Sequence, residues 1–244
     1  MIQVKSKHKP GTVGYIMGDR PRCQQFYDCI EQLMVPEGTA LMKATGYNAA
    51  HNRNQIIEGM EGDWVWFLDD DHGWEPDALL RLLDSNVDAV VPLYCRRYAP
   101  FEPVIYKSFD PSKYNVSELY SWPEISNMRG CEPIAASGAG GLLVRRHVLE
   151  KMESPHFRVG HGNGPEWHIL TDSDGMHEDT GFCWRLKKSG FELFVNVDVQ
   201  IGHLTDTVLI PSRQSNGSFS VFANINNCKV WLFKGETEQK IIAA

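Results

Sequence analysis

A chain of 244 residues with 24 basic and 31 acidic side chains carries a formal net charge of −7. Its 42% hydrophobic and 23% charged content is that of an ordinary globular protein with enough apolar residues for a large core. That charge balance excludes a broad electropositive surface for duplex nucleic acid, whose binding leans on phosphate neutralisation, and no apolar run approaches bilayer-spanning length.

Taken in order, Thr12 to Met17 reads as a first strand, broken by Gly18-Asp19-Arg20-Pro21. Cys23 to Met34 carries Phe26, Cys29, Ile30 and Leu33 at three- and four-residue spacing, the period of an amphipathic helix. A turn over 36–39 leads to a short strand over 40–44, and Tyr47 to Met60 reads as the next helix with Ile56, Ile57 and Met60 on its buried face. Trp64 to Leu68 is a run of five apolar residues without alternation, as expected of a strand covered on both faces. Pro76 to Leu83 is a helix with proline in its first turn, and Asp88 to Leu93 another strand. Strands alternating with helices imply an α/β layer architecture. Residues 95–133, rich in Tyr, Pro, Ser and Trp, are expected to be irregular, with an edge strand near Val104-Ile105-Tyr106. Arg146 to Met152 is read as helical and the glycine- and histidine-rich stretch 155–164 as a loop. A helix follows over 180–189, introduced by His177-Glu178-Asp179 and closed by Gly190. Two short strands, 191–195 and 199–201, precede Gly202-His203, and 218–223 with 228–233 are expected to pair as a hairpin before a loose tail. The division expected is a domain over 1–210 and a C-terminal extension over 211–244.

The six cysteines form no CxxC pair, so neither a zinc site nor a disulfide frame is indicated, and reduced thiols are expected. The basic N-terminus is not followed by the apolar stretch of a secretory leader, which makes a cytoplasmic location the expectation.

The chemistry concentrates where the apolar strand runs into Asp69-Asp70-Asp71-His72. Three carboxylates cannot stay buried unpaired, since desolvating one charge alone costs several kcal/mol. A divalent cation at the carboxyl edge of the sheet resolves this, because open α/β sheets place ligands there. The alternative is a solvated acidic turn before a helix. Further along, Ser137-Gly138-Ala139-Gly140-Gly141 permits close backbone approach to a ligand or a tight chain crossing.

The order of these features, an apolar strand ending in Asp-x-Asp, a glycine-rich segment, Glu-Asp opening a helix and a lone His after a strand, resembles the family 2 glycosyltransferases of GT-A fold. The resemblance spans roughly residues 12–205. It implies a Rossmann-like, mostly parallel central sheet flanked by helices, and transfer of a sugar from a nucleotide-diphosphate sugar, expected to be UDP-linked, with inversion. By the same resemblance Asp69 faces the nucleotide, Asp71 binds the metal with Asp69 beside it, and His203 is the distant ligand. Asp70, between them, points to the other side. Imidazole among oxygens tilts the choice of metal towards manganese, with magnesium as substitute. Asp179 is expected as general base with Glu178 as its substitute; Arg53, Asp70 and Gly140 are expected beside the nucleotide. Trp74 and Trp167 are candidates for a flat face against a sugar. The acceptor stays open among a modified nucleic-acid base, a protein and a glycan, and the hairpin could serve a second copy of the chain. Two rival readings are a haloacid-dehalogenase-like phosphatase, with Asp69 as nucleophile, and a non-catalytic sugar-nucleotide-binding protein. The residues after the aspartates, His72-Gly73-Trp74, depart from the phosphatase pattern.

Overall fold

The computed structural model describes residues 1–18, 24–46, 48–97, 100–110, 116–158, 177–204, 208–225 and 228–234. The organising strand is β5 (Trp64–Asp69), and its two faces feed two separate cores. Val65 and Phe67 face one core, shared with Ile56 of α2 (Ala49–Gly59), Val148 and Leu149 of α5 (Arg146–Lys151), and Phe182 and Leu186 of α6 (Glu178–Lys188). Trp64, Trp66 and Leu68 face the other, shared with Phe26 and Ile30 of α1 (Gln24–Gln32) and Leu79, Leu82 and Leu83 of α3 (Ala78–Asp84). Burying one such side chain is worth about 1.5–3 kcal/mol, so an uninterrupted apolar strand is stable only under this double cover.

Around β5 the sheet runs β4 (Ala40–Thr45), β2 (Thr12–Met17), β5, β12 (Leu143–Arg145), β7 (Ala89–Leu93) and β13 (Leu193–Leu204). The pairs β2–β4, β2–β5 and β7–β13 are parallel, while β12 enters antiparallel between β5 and β7. This is the mostly parallel, helix-flanked sheet that the sequence predicts. Two small sheets stand apart: β1 (Ile2–Val4) with β3 (Met34–Pro36), and β8 (Ile105–Asp110) between β9 (Val116–Leu119) and β11 (Ala136–Ser137).

Three expectations change. Residues 95–133 are not irregular: they contain β8, β9, the short helix α4 (Trp122–Ile125) and β10 (Cys131–Ile134). The helix α4 was hidden by its length, yet it has a full capping box, Ser121 with Glu124. The two short strands expected over 191–201 are one twelve-residue strand, β13, whose register with β7 shifts between Asn196 and Gln200. That irregularity lets the strand change partners. Its first part pairs with β7 and β10, and its last residues pair with β6 (His72–Trp74) and β14 (Val208–Arg213). Lastly, Trp74 is a core residue, packed edge-on against Phe26 and Trp66 with ring centroids 5.5 Å away in each case. Trp167 lies outside the described residues, as does most of the loop expected over 155–164.

The expected C-terminal hairpin is present as β15 (Phe219–Ile225) and β16 (Cys228–Lys234), and β14 joins it to β13 so that all three strands continue the main sheet. Among the described residues Cys29, Cys95, Cys131 and Cys183 are free thiols. No helix of the described residues is long and apolar enough to cross a membrane.

Candidate active site

The carboxyl end of β5 delivers its aspartates in three directions, because side chains alternate along an extended chain and the chain turns after Asp69. Asp69 Oδ1 accepts a hydrogen bond from Arg53 Nη2 at 2.8 Å. Asp70 Oδ2 accepts from the backbone N–H of Gly18, just past β2, at 3.3 Å. Asp71 Oδ2 lies 2.8 Å from Arg97 Nη1. All three carboxylates thus have different partners, whereas the expectation set Asp70 alone apart from Asp69 and Asp71.

Arg53 joins two distant parts of the chain. Its guanidinium holds Asp69 with one nitrogen and Glu178 Oε1 with the other, at 2.9 Å, and its carbon sits 5.4 Å from the Phe157 ring centroid. The residue is almost fully buried, at 3% exposure, so its charge is compensated by carboxylates rather than by water. Burial works against the charged guanidinium, but Asp69, Glu178 and Asp179 together raise its pKa above the ordinary value. Burial likewise works to raise the pKa of Asp69, and the charge and hydrogen bond of Arg53, with His72 close by, outweigh it, leaving the carboxyl below its ordinary value.

Asp179 follows Glu178 in the first turn of α6. Its Oδ1 accepts from the Thr180 N–H at 2.6 Å. Burial, reinforced by the charge of Glu178, raises its pKa to about 6 in spite of Arg53. Of the two neighbouring acids, Glu178 is engaged by Arg53, and Asp179 is the one poised to gain a proton near neutral pH.

A third group gathers at β6 and the end of β13, where His72 and His203 are directly paired across the two strands. One ligand atom each from Asp71, His72 and His203 lies within 4.8 Å of the others. The His203 Nδ1 contacts the Cys95 carbonyl, which can only accept, so Nδ1 carries the proton and Nε2 presents its lone pair. His72 is 1% exposed, and both its ring nitrogens lack a hydrogen-bond partner among the described residues. Leaving such a group unsatisfied costs about 1–3 kcal/mol. Burial, with His203 and Arg97 close by, lowers the His72 pKa to about 4, which keeps the imidazole in the neutral form that binds metals. An orphaned neutral imidazole, a second one oriented by a carbonyl and a carboxylate that has drawn a cation to itself fit a divalent metal well.

The glycine-rich segment connects the groups. A Cβ on Gly140 would stand 2.2 Å from His72 Cε1 and 2.9 Å from Asp69 Oδ2. A Cβ on Gly138 would stand 2.3 Å from the Tyr94 hydroxyl and 3.5 Å from Asp179 Oδ2. The chain thus passes between acid and metal-binding groups with room only for hydrogen. Two anchors hold it there: Gly141 N–H donates to the Phe67 carbonyl at 2.7 Å, and Trp66 Nε1 donates to the Gly141 carbonyl at 2.8 Å.

The structure therefore brings Arg53, Asp69, Glu178, Asp179 and Gly140 together, and Asp71 with His203. Asp69 is turned to Arg53 and is not one of the three clustered ligands; His72 is. The sequence did carry a sign of His72, an imidazole adjoining an aspartate run. Tyr94 had no such sign, and Arg97 only that of adjoining Arg96 in a pair of arginines suited to solvent or phosphate. The adjacent Arg145 and Arg146 hold backbone carbonyls of Leu83, Val87, Met60 and Gly62 and belong to the scaffold.

A sheet of this topology with acids and imidazoles at its carboxyl edge is that of a GT-A glycosyltransferase. The sequence description "Glycosyl transferase family 2" matches residues 22–151, 130 of the 244, and the chain belongs to that family. Among solved structures, A197 from STIV superposes with a TM-score of 0.52 at 15% identity, over 82% of this chain and 89% of that one. GalNAc-T7, crystallised with UDP, GalNAc and Mn2+, superposes with a TM-score of 0.51 at 9% identity, over 80% of this chain and 43% of that one. At such identities these likenesses concern the fold. No curated protein matches the chain. The protein is a glycosyltransferase, and the phosphatase and pure binding-module readings give way to that membership.

Proposed function

We propose that this glycosyltransferase uses a nucleoside-diphosphate sugar, UDP-linked, in a reaction that depends on a divalent cation, manganese before magnesium, and that inverts the anomeric carbon. The observation that carries this reading is the convergence of Asp71, His72 and His203 at the carboxyl edge of the sheet, next to the Asp69–Arg53–Glu178 chain. Asp71 and His203 would hold the cation, with His72 supplying a nitrogen that has no other partner among the described residues. A bound cation supplies Lewis-acid stabilisation to the diphosphate as its negative charge grows.

The remaining groups have separable tasks. Asp69 stands where the nucleotide is expected, oriented by Arg53, whose fork is already engaged by two carboxylates. Arg53 and Gly140 thereby serve the nucleotide by fixing and clearing its place, and Asp70 braces the end of β2 through Gly18. Asp179 is the general base: it takes the proton from the acceptor hydroxyl as that oxygen attacks the sugar, and its raised pKa makes it a better base than an ordinary carboxylate. UDP and Mn2+ bound to the GT-A neighbour GalNAc-T7 support the choice of nucleotide and metal.

The test is thermal stabilisation of the full chain by UDP, with and without MnCl2. UDP is expected to stabilise the protein only with manganese, and Asp71→Asn or His203→Ala to abolish that dependence. Equal stabilisation of all three proteins, with or without metal, would overturn the metal reading.

A further inference from the structure

The cation cluster already faces a positive charge supplied by the chain. Arg97 Nη1 sits 2.8 Å from Asp71 Oδ2, the carboxylate being 8% exposed and the arginine 46%. The backbone that delivers Arg97 is anchored up to the residue before it. Cys95 bridges Pro103, the Arg96 N–H donates to the Glu102 carbonyl at 2.8 Å, and the Arg96 guanidinium pairs with the Glu102 side chain at 3.3 Å. A fixed stub therefore presents a long, half-exposed side chain whose tip meets the buried carboxylate of Asp71.

A guanidinium and a divalent metal cannot both occupy this corner. They compete for the same carboxylate, and two cations a few ångströms apart repel strongly where water is scarce. Once displaced, the guanidinium remains tethered within a side-chain length of the cluster. A cation held by Asp71 attracts diphosphate oxygens, and the planar fork of arginine matches two phosphate oxygens at once. A charge that opposes metal binding in the absence of nucleotide would then favour nucleotide in the presence of metal.

We propose that Arg97 is the resident counter-ion of the cation site, displaced from Asp71 by the incoming metal and then taken up by the diphosphate of the donor. The proposal rests on the metal reading above and adds to it an order of events. Metal and nucleoside diphosphate bind with positive coupling, because each removes a cost that the other would meet alone.

The experiment measures free Mn2+ by electron paramagnetic resonance during titration of the full chain, with and without UDP, for the wild type, Arg97→Ala and Arg97→Lys. With metal alone, Arg97→Ala is expected to bind Mn2+ about two- to tenfold more tightly than the wild type, the range for losing a partly exposed ion pair. The gain in Mn2+ affinity produced by UDP is expected to shrink in Arg97→Ala. Arg97→Lys, which keeps the charge without the fork, should resemble the wild type with metal alone and show reduced coupling with UDP. Arg97→Ala binding Mn2+ no more tightly than the wild type would overturn the counter-ion role. Coupling to UDP equal in all three proteins would overturn the diphosphate role. A wild type that binds no Mn2+ at all, with UDP or without it, sinks the metal reading itself and is thereby told apart from failure of the Arg97 proposal.

Discussion

As the proposed base, Asp179 would serve chemistry at the expense of stability. Its pKa of about 6 lies above the ordinary aspartate value near 4 because burial, with Glu178 beside it, disfavours the ionised form. For a carboxyl whose folded pKa is raised, the stabilisation from the protonated form is complete below about pH 4 and is lost as the pH climbs through about 6. Asp179→Asn keeps the shape without the charge. We expect it to melt higher than the wild type at pH 7.5, by on the order of 2 kcal/mol or less after solvent screening, and to match it at pH 4. The same variant should lose sugar transfer at least a hundredfold while still binding UDP with metal. Transfer by the wild type should rise with pH through about 6. A variant that keeps turnover would remove Asp179 as base, and paired melting curves at the two pH values check the linkage.

At the scale of elements, the site depends on a backbone crossing. The segment from Gly138 to Gly141 passes over the end of β5, and Gly141 adopts a φ of 88°, where Cβ-bearing residues are strained. Gly140→Ala would drive a methyl group into His72 and towards Asp69. Because the hydrogen bonds from Gly141 to Phe67 and from Trp66 to Gly141 lie beyond the substituted position, the strand pairing should survive. The expected outcome is a folded protein whose Mn2+ affinity falls about tenfold or more, since a ligand displaced by an ångström no longer meets the metal's distance. Calorimetric titration with Mn2+, alongside circular dichroism, separates a damaged site from a damaged fold.

At the scale of the whole molecule, the C-terminal strands close the sheet on the side of β13. Phe219 stacks on Trp122 with ring centroids 5.7 Å apart, its N–H donates to Ser126 Oγ, and Arg213 reaches the Met128 carbonyl. Leu209, Phe219, Val221 and Ala223 are buried in the same core that α2, α5 and α6 cover. Removing everything after residue 210 would uncover this apolar surface, at about 1.5–3 kcal/mol for each large side chain. A chain of this size loses about 2–4 °C per kcal/mol, so the truncated protein is expected to melt at least about 10 °C lower. Differential scanning calorimetry of the two chains decides it; equal melting would make 211–244 an independent appendage.

The α/β class, the doubly covered strand β5 and the helices α2, α3 and α6 were legible because local periodicity and apolar runs determine them. The family-like order of acids and glycines was legible for the same reason, as short motifs at strand ends. Of the small elements within 95–133 only β8 was foreshadowed, by Val104-Ile105-Tyr106; the others were not, because α4 is a single capped turn and β9 and β10 owe their existence to cross-strand partners rather than to alternation. By itself the sequence determined which residues carry charge, which are apolar and where the chain must turn. Only the tertiary structure decided that Arg53 would tie Asp69 to Glu178, that His72 would pair across strands with His203, and that Arg97 would come to rest on Asp71. Those contacts join residues far apart in the chain, and their energy comes from desolvation and proximity, which exist only once two strands have been brought side by side.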